Sequence, residues 1–188
     1  MAAKSQMLEL GTQAPDFALP DADGHIHTMA DGASAYLVMF ICNHCPYVVH
    51  VQQELARLGR DYADKSVAIF AINSNDPETY PSDNADNMKR VASEQGYTFP
   101  YLIDTDQSIA RAYRAACTPD IFLFDAARKL VYRGQLDGSR PSNNVPVDGR
   151  DIRAALNAVL AGEEVAQEQI ASIGCSIKWK PGNEPSDY

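Results

Sequence analysis

One stretch of the sequence constrains the fold more than any other: an apolar run, a cysteine motif and a helical pattern follow one another directly. Residues 35–41 read Ala-Tyr-Leu-Val-Met-Phe-Ile without a charge, which is typical of a strand buried on both faces. From Val48 to Tyr62, apolar side chains recur every three or four residues, as on one face of an amphipathic helix. Residues 67–72 form a second apolar strand candidate. A strand, a helix and a strand in this order predict parallel pairing through a right-handed crossover.

The rest of the chain also alternates strand and helix patterns and predicts an α/β fold. Residues 101–103 form a short strand candidate, and residues 121–124 and 130–132 are two apolar stretches five residues apart, which favours an antiparallel hairpin. Upstream, residues 17–19 and 25–27 flank a turn and predict a small N-terminal hairpin. We therefore expect a central mixed β-sheet, parallel at its centre and antiparallel at one edge, with helices on both faces.

Length and charge limit the number of domains and the kinds of partner. The 188 residues suit a single domain, with a core over about residues 10–161 and a C-terminal tail extension over residues 162–188. Asp and Glu outnumber Lys and Arg by 25 to 16, which gives a net charge of −9. Because binding to phosphates needs clustered basic residues and the sequence has no basic block, a nucleic-acid partner is not expected.

The chain shows neither a membrane-span pattern nor a secretory pattern. No apolar run reaches the roughly 18 residues that a spanning helix needs, and the first ten residues lack the apolar stretch of a signal peptide. We therefore expect a cytoplasmic protein with no membrane partner, either a monomer or a homodimer.

Four cysteines are the candidate reactive residues: Cys42, Cys45, Cys117 and Cys175. A chain of this length buries an adequate core without disulfides, so in a reducing compartment these thiols favour redox chemistry or metal binding. Two interpretations stay open for each later cysteine. Cys117 is either a third reactive thiol or a small buried apolar residue, and Cys175 is either a second resolving thiol or a link between two chains.

The pair Cys42 and Cys45 lies where the first buried strand ends and the helix begins. Unpaired amide groups and the helix dipole at such a position stabilise a thiolate and lower its pKa. We expect Cys42 to be the exposed nucleophile and Cys45, one turn deeper, to be the resolving thiol. Pro46 suits the first helical turn, Asn43 is part of the two-residue spacer, and His44 is expected to give the thiolate a hydrogen bond or a charge.

The main alternative for this pair is a metal site. A C-x-x-C motif often supplies two of the four ligands of zinc, and Cys117 and Cys175 are the further ligands that a zinc or iron–sulfur site would use. The strand-to-helix context favours redox chemistry over metal binding. No metal and no other cofactor is therefore expected.

An X-Pro pair, Thr118-Pro119, stands just before the apolar stretch at residues 121–124. A proline here either opens the strand or forms a cis peptide. With C-x-x-C at the strand-to-helix junction, this X-Pro pair and a closing helix, residues 10–161 resemble the thioredoxin superfamily. The resemblance implies a thioredoxin-like fold in which Pro119 is cis and faces the cysteine pair, and in which Thr118 and Pro119 present backbone to the substrate.

Two further stretches narrow the resemblance. Residues 11–19 (Gly-Thr-Gln-Ala-Pro-Asp-Phe-Ala-Leu) and the Asp23-Gly24 pair are similar to the start of the AhpC/TSA branch, the alkyl-hydroperoxide-reductase and thiol-specific-antioxidant proteins. Residues 42–48 (Cys-Asn-His-Cys-Pro-Tyr-Val), together with residues 174–179 (Gly-Cys-Ser-Ile-Lys-Trp), resemble a peroxiredoxin-like group of thioredoxin-fold proteins.

Departures from both parent patterns affect the expected activity. Peroxiredoxins resemble P-x-x-x-T-x-x-C, and aligning Cys45 with that cysteine puts Cys42 in the Thr position and Val38 in the Pro position, which weakens the case for a peroxidase. Thioredoxins resemble W-C-G-P-C with a buried acid six residues before the first cysteine, and here that position holds Tyr36. The motif therefore places no carboxylate to deprotonate Cys45, which leaves His50 or water for that task.

Together these patterns predict a thiol–disulfide oxidoreductase of the AhpC/TSA type. The Cys42 thiolate is expected to attack a disulfide of a protein or a small molecule, and Cys45 to displace the reduced product and form the Cys42–Cys45 bond. One alternative is a thiol-dependent peroxidase that uses a hydroperoxide, with Cys117 or Cys175 as an additional redox thiol. The other is a metal or iron–sulfur protein that uses all four cysteines.

Overall fold

The computed structural model describes residues 2–186. Ten strands are assigned: β1 (Ala2–Lys4), β2 (Ala18–Pro20), β3 (Ile26–Thr28), β4 (Ala35–Phe40), β5 (Val67–Asn73), β6 (Tyr101–Ile103), β7 (Cys117–Thr118), β8 (Asp120–Asp125), β9 (Leu130–Gly134) and β10 (Ile173–Ser176). The helices are α1 (Pro46–Asp61), α2 (Ala85–Gln95), α3 (Ser108–Ala112) and α4 (Arg150–Ala161), with a short 3₁₀ turn at Pro81–Asp83.

The central sheet has five strands in the order β6-β5-β4-β8-β9. Strands β4, β5 and β6 are parallel, whereas β8 pairs antiparallel with β4 and β9 pairs antiparallel with β8. The parallel centre follows from the β4–α1–β5 crossover, since parallel neighbours need a long connection. This arrangement confirms the mixed sheet expected from the sequence.

Two apolar layers cover the two faces of this sheet. Because successive side chains of a strand point to opposite faces, Leu37 and Met39 of β4 lie in the layer with α1 and α4, while Tyr36 and Val38 lie in the layer with α3 and the β2–β3 hairpin. All six residues of β4 are buried. The uncharged run therefore becomes the central strand, and the cysteine pair joins the layer of α1.

Helix α1 begins at Pro46, directly after the cysteine pair. Pro46 occupies the first helical position, where a missing N–H costs no hydrogen bond, and Cys45 is the N-cap residue. Val48, Val51, Leu55 and Leu58 are buried on the inner face of the helix. Full burial of each such side chain is worth about 1.5–3 kcal/mol, so α1 is anchored firmly and fixes the position of Cys45.

The N-terminal hairpin is formed by β2 and β3, and each strand begins and ends one residue later than the sequence predicted.

The C-terminal extension contributes β10, which lies between β1 and β7 in a separate antiparallel sheet. Cys175 of β10 is paired with Thr118 of β7 and with Ala2 of β1. The extension is thus attached to the core at the X-Pro segment. Among the described residues, no helix is both long enough and apolar enough to span a bilayer.

Candidate active site

The two cysteines of the motif lie between β4 and α1, at the carboxyl end of the central strand. Cys42 is in the connecting segment and Cys45 is the N-cap of α1. Both side chains are buried, with 3% of Cys42 and none of Cys45 exposed. The expectation that Cys42 is exposed is therefore wrong, because the loop carrying Asn75 and Asp83 covers the segment after β4.

The Thr118-Pro119 bond is cis and lies against the pair, as the resemblance implies. Cys42 Sγ is 3.3 Å from Thr118 Oγ1, at a distance where either group can donate. The Cys45 thiol donates a hydrogen bond to the carbonyl oxygen of Thr118 at 3.1 Å. One residue, Thr118, thus contacts both sulfurs, with its hydroxyl at Cys42 and its carbonyl at Cys45.

The two thiols share their protons. A hydrogen bond from the Cys42 thiol lowers the pKa of Cys45 to about 4, and further hydrogen bonds from Cys175 contribute to the shift. The same bond, burial and the negative charge of Asp83 raise the pKa of Cys42. The thiol with the lowered pKa is thus Cys45 rather than Cys42, where the sequence predicted it. Hydrogen bonds with Cys42 and Cys175 cause this shift, since the Cys45 side chain makes no capping hydrogen bond to the amides of α1.

Because the thiols interact, the first ionisation belongs to the pair rather than to one sulfur. With the charge on Cys45, the Cys42 thiol donates to it. When the proton moves to Cys45, that thiol donates to the Thr118 carbonyl, and the Thr118 hydroxyl can donate to the Cys42 thiolate. A charged sulfur at Cys42 therefore exchanges the hydrogen bond between the two thiols for the two hydrogen bonds with Thr118.

The residues between the cysteines are held by the loop that follows β5. The backbone N–H of Asn43 donates to Asp83 Oδ1 at 2.7 Å, its side-chain amide donates to the Ser82 carbonyl at 2.8 Å, and Tyr101 donates to its side-chain oxygen at 3.0 Å. His44 Nδ1 lies 2.7 Å from Asp83 Oδ2, and the His44 ring stacks on Tyr80 at a centroid distance of 5.4 Å. The spacer is thus fixed by Asp83, 40 residues further along the chain.

The other two cysteines also lie near the pair. Cys175 interacts with Cys45 through its side chain and its backbone N–H, whereas the Cys117 thiol donates to the Pro119 carbonyl at 3.5 Å. Burial raises the pKa of Cys117, and burial also raises the pKa of Cys175, to about 11. Cys175 is therefore the thiol that adjoins the reactive pair, and Cys117 is enclosed behind the cis peptide.

The structure gives no role in deprotonation to His50. Its Nε2 lies 2.7 Å from Ser139 Oγ rather than against either thiol. Tyr36 packs in the opposite apolar layer, so the position of the thioredoxin acid brings no acid to the pair.

A four-cysteine metal site is not preformed. Among residues 2–186, no group of three or more potential metal ligands contains more than one cysteine. One group does lie at the pair itself, and it combines Cys42 with His44 and Asp83.

Sequence reasoning missed Asp83 and Asp120, the two buried carboxyl groups next to the site. Asp83 lies in a polar segment whose sequence predicts only a loop. Its position at the site depends on hydrogen bonds from Asn43, which follows β4, and from Asn75, which follows β5. Asp120 is fully buried, accepts a hydrogen bond from Ala116 N–H at 3.0 Å, and has a pKa raised to about 6 by burial. An acid directly after the X-Pro pair is the signal that could have drawn attention to Asp120.

Comparisons with known proteins agree with this geometry. Residues 10–133 match the AhpC/TSA family. The chain is 30% identical over 120 residues to the thiol-disulfide oxidoreductase ResA of Geobacillus kaustophilus, an alignment that covers 62% of this chain and 63% of that protein. The match thus spans less than two thirds of this relative's length.

Two solved structures extend the comparison. An uncharacterized conserved protein from Geobacillus kaustophilus shares 56% identity and a TM-score of 0.94, covering 97% of this chain and 98% of that one. A thiol:disulfide interchange protein of the thioredoxin family from Chlorobium tepidum, at 20% identity and a TM-score of 0.63, covers 80% of this chain and 97% of its own and shows the likeness of fold. With a thioredoxin-like fold and a family match over more than half of its residues, the chain belongs to the AhpC/TSA family of the thioredoxin superfamily.

Proposed function

We propose that this protein is a thiol–disulfide oxidoreductase in which Cys42 and Cys45 cycle between dithiol and disulfide. The observation that supports this most is the shared ionisation of two adjacent thiols that both contact Thr118, beside the cis bond to Pro119. A low-pKa thiolate next to a second thiol is the arrangement that disulfide exchange requires. The relative from Geobacillus kaustophilus, ResA, is itself named a thiol-disulfide oxidoreductase.

In the proposed cycle, Cys42 attacks first. Cys42 keeps 3% exposure against none for Cys45, and the Thr118 hydroxyl can stabilise the Cys42 thiolate. Attack on a substrate disulfide forms a mixed disulfide with Cys42 and releases one substrate thiolate. Cys45 then attacks the Cys42 sulfur, releases the second substrate thiolate and closes the Cys42–Cys45 bond. Two electrons pass from the dithiol to the substrate, and the two released thiolates take up the protons of the pair.

The test is turnover of a protein disulfide, with insulin as substrate and dithiothreitol as reductant. Cys42→Ser is expected to abolish turnover, whereas Cys45→Ser is expected to accumulate a mixed disulfide that mass spectrometry locates on Cys42. Cys117→Ser is the matched control, because serine keeps a donor for the Pro119 carbonyl. Full turnover by both motif variants would refute the proposal.

Membership of the AhpC/TSA family is the observation that favours peroxide reduction as a second candidate. A peroxidase cycle would oxidise one thiolate to a sulfenic acid with release of water or an alcohol, and a second thiol would then form the disulfide. Rapid loss of two thiols on adding one equivalent of hydroperoxide to the reduced protein would support this activity. Slow loss over hours would leave disulfide exchange as the function.

A further inference from the structure

We propose that the reduced protein binds a divalent metal ion of the zinc class through Cys42, His44 and Asp83. One ligand atom from each of these side chains, a sulfur, a ring nitrogen and a carboxylate oxygen, lies within 4.8 Å of the other two. Thiolate, imidazole and carboxylate are the three ligand types that zinc uses in proteins. The inference uses the dithiol state of the proposed cycle, since a disulfide removes the sulfur ligand.

The first supporting observation concerns the imidazole. His44 Nδ1 is buried and lies 2.7 Å from Asp83 Oδ2, but the contact lacks the direction that an N–H donor needs. A buried polar nitrogen that makes no well-directed hydrogen bond is costly. A cation coordinated by both the nitrogen and the carboxylate would give the nitrogen a well-directed partner.

The second observation concerns the carboxylate and its support. The Asp83 side chain is fully buried, and two donors orient it: Asn43 N–H on Oδ1 at 2.7 Å, and Asn75 Nδ2 on Oδ2 at 2.8 Å. Hydrogen bonds of this kind fix the orientation of metal ligands.

Access and coordination number are also consistent with metal binding. The His44 side chain is 28% exposed and is the ligand that meets the solvent, whereas Cys42 and Asp83 are buried. Three protein ligands leave a fourth position of a tetrahedral zinc site for water or for a thiolate of a small molecule. Binding converts the Cys42 thiol to a thiolate and therefore releases one proton for each metal ion bound.

The test is a titration of the reduced full-length chain with Co²⁺, followed by displacement with Zn²⁺ and a chromophoric chelator. We expect one equivalent to bind, with a sulfur-to-cobalt charge-transfer band in the near ultraviolet. The Cys45→Ser variant, which cannot form the disulfide, is expected to keep the band, whereas Cys42→Ser and the oxidised protein are expected to lose it. Binding by Cys45→Ser thus tests the metal site separately from the redox cycle.

Two ligand variants complete the test. Asp83→Asn and His44→Ala are each expected to weaken Zn²⁺ binding by at least about 10–100-fold. His44→Gln serves if Asp83→Asn fails to give a circular dichroism spectrum of folded protein. The proposal is overturned if reduced protein shows no charge-transfer band. It is also overturned if the band survives His44→Ala but disappears on replacing Cys45, Cys117 or Cys175, because the ligands would then be sulfurs alone.

Discussion

Cys45 and Cys117 both lie beside Thr118 and are equally buried, with no exposed surface on either. Their thiols nevertheless shift in opposite directions. Hydrogen bonds from Cys42 and Cys175 lower the pKa of Cys45, whereas burial and the charge of Asp120 raise the pKa of Cys117. Burial alone therefore does not decide which thiol ionises. Nearby donors outweigh the cost of desolvation at Cys45, whereas at Cys117 a backbone hydrogen bond from Gly174 is too weak to offset burial.

The largest expected difference between the two sites is in alkylation by iodoacetamide. At pH 6 the pair is ionised and Cys117 is not, so the pair is expected to react more than about 1,000-fold faster, in proportion to thiolate population. The rate at the pair is expected to stay nearly constant from pH 8 down to pH 5. Peptide mapping by mass spectrometry at each pH measures both rates.

Cys42→Ala sharpens that measurement. The variant removes the first donor to the Cys45 thiolate, so the pKa of Cys45 should rise and its alkylation should become dependent on pH between 5 and 8. An unchanged profile would contradict the shared ionisation of the pair.

The next effect concerns the strand that brings Cys175 to Cys45. A Cβ at Gly174 would lie 1.9 Å from the carbonyl oxygen of Thr118, so Gly174→Ala must displace β10 from β7. We expect a loss of about 3 kcal/mol in the free energy of unfolding, measured by urea denaturation, and faster alkylation of Cys175. Gly138→Ala is the matched control, because its Cβ would meet only Val145 at 3.8 Å. Equal stability of the two variants would show that β10 does not need this close contact.

A smaller effect comes from Asp120, the acid next to Cys117. Its folded pKa, about 6, lies above the unfolded value of about 3.9, so the protonated carboxyl favours the fold. The contribution is complete below pH 4 and is lost as the pH rises through 6, a change of roughly 2–3 kcal/mol. Relative to the parent, Asp120→Asn should therefore become more stable between pH 4 and pH 7. Urea denaturation of both proteins at the two pH values measures this, and a constant difference would contradict the raised pKa.

The smallest effect is expected for Cys117→Ala. Loss of one buried sulfur leaves a small cavity and should cost about 1 kcal/mol of stability, while turnover of insulin stays at the parent rate. Loss of turnover with the fold intact would instead make Cys117 part of the redox cycle.

Local patterns predicted the frame of the site well. The uncharged run at residues 35–41 predicted β4, and the spacing of apolar residues predicted α1. The Thr118-Pro119 pair marked the segment that contacts the two thiols. The effect of the helix start was misjudged: Pro46 is the first helical residue and Cys45 the N-cap, but the Cys45 side chain makes no capping hydrogen bond. Its lowered pKa comes from hydrogen bonds with Cys42 and Cys175.

The covering groups could not be predicted from local patterns. Asp83 has no periodic neighbour that marks it, and it acts through the backbone of Asn43, far away in the sequence. The attachment of β10 depends on the absence of a side chain at Gly174, opposite a carbonyl group that only the folded chain brings close. Contacts between segments distant in sequence determine both features.

The pairing of β10 with β7 also has a consequence for partner selection. Residues 173–176 occupy the backbone edge of Cys117 and Thr118, so an extended polypeptide that seeks the same edge faces a tethered competitor of high effective concentration. A low-molecular-weight thiol needs no such edge. If the proposed substrates include extended polypeptides, we therefore expect competition with β10 to disfavour them relative to small molecules.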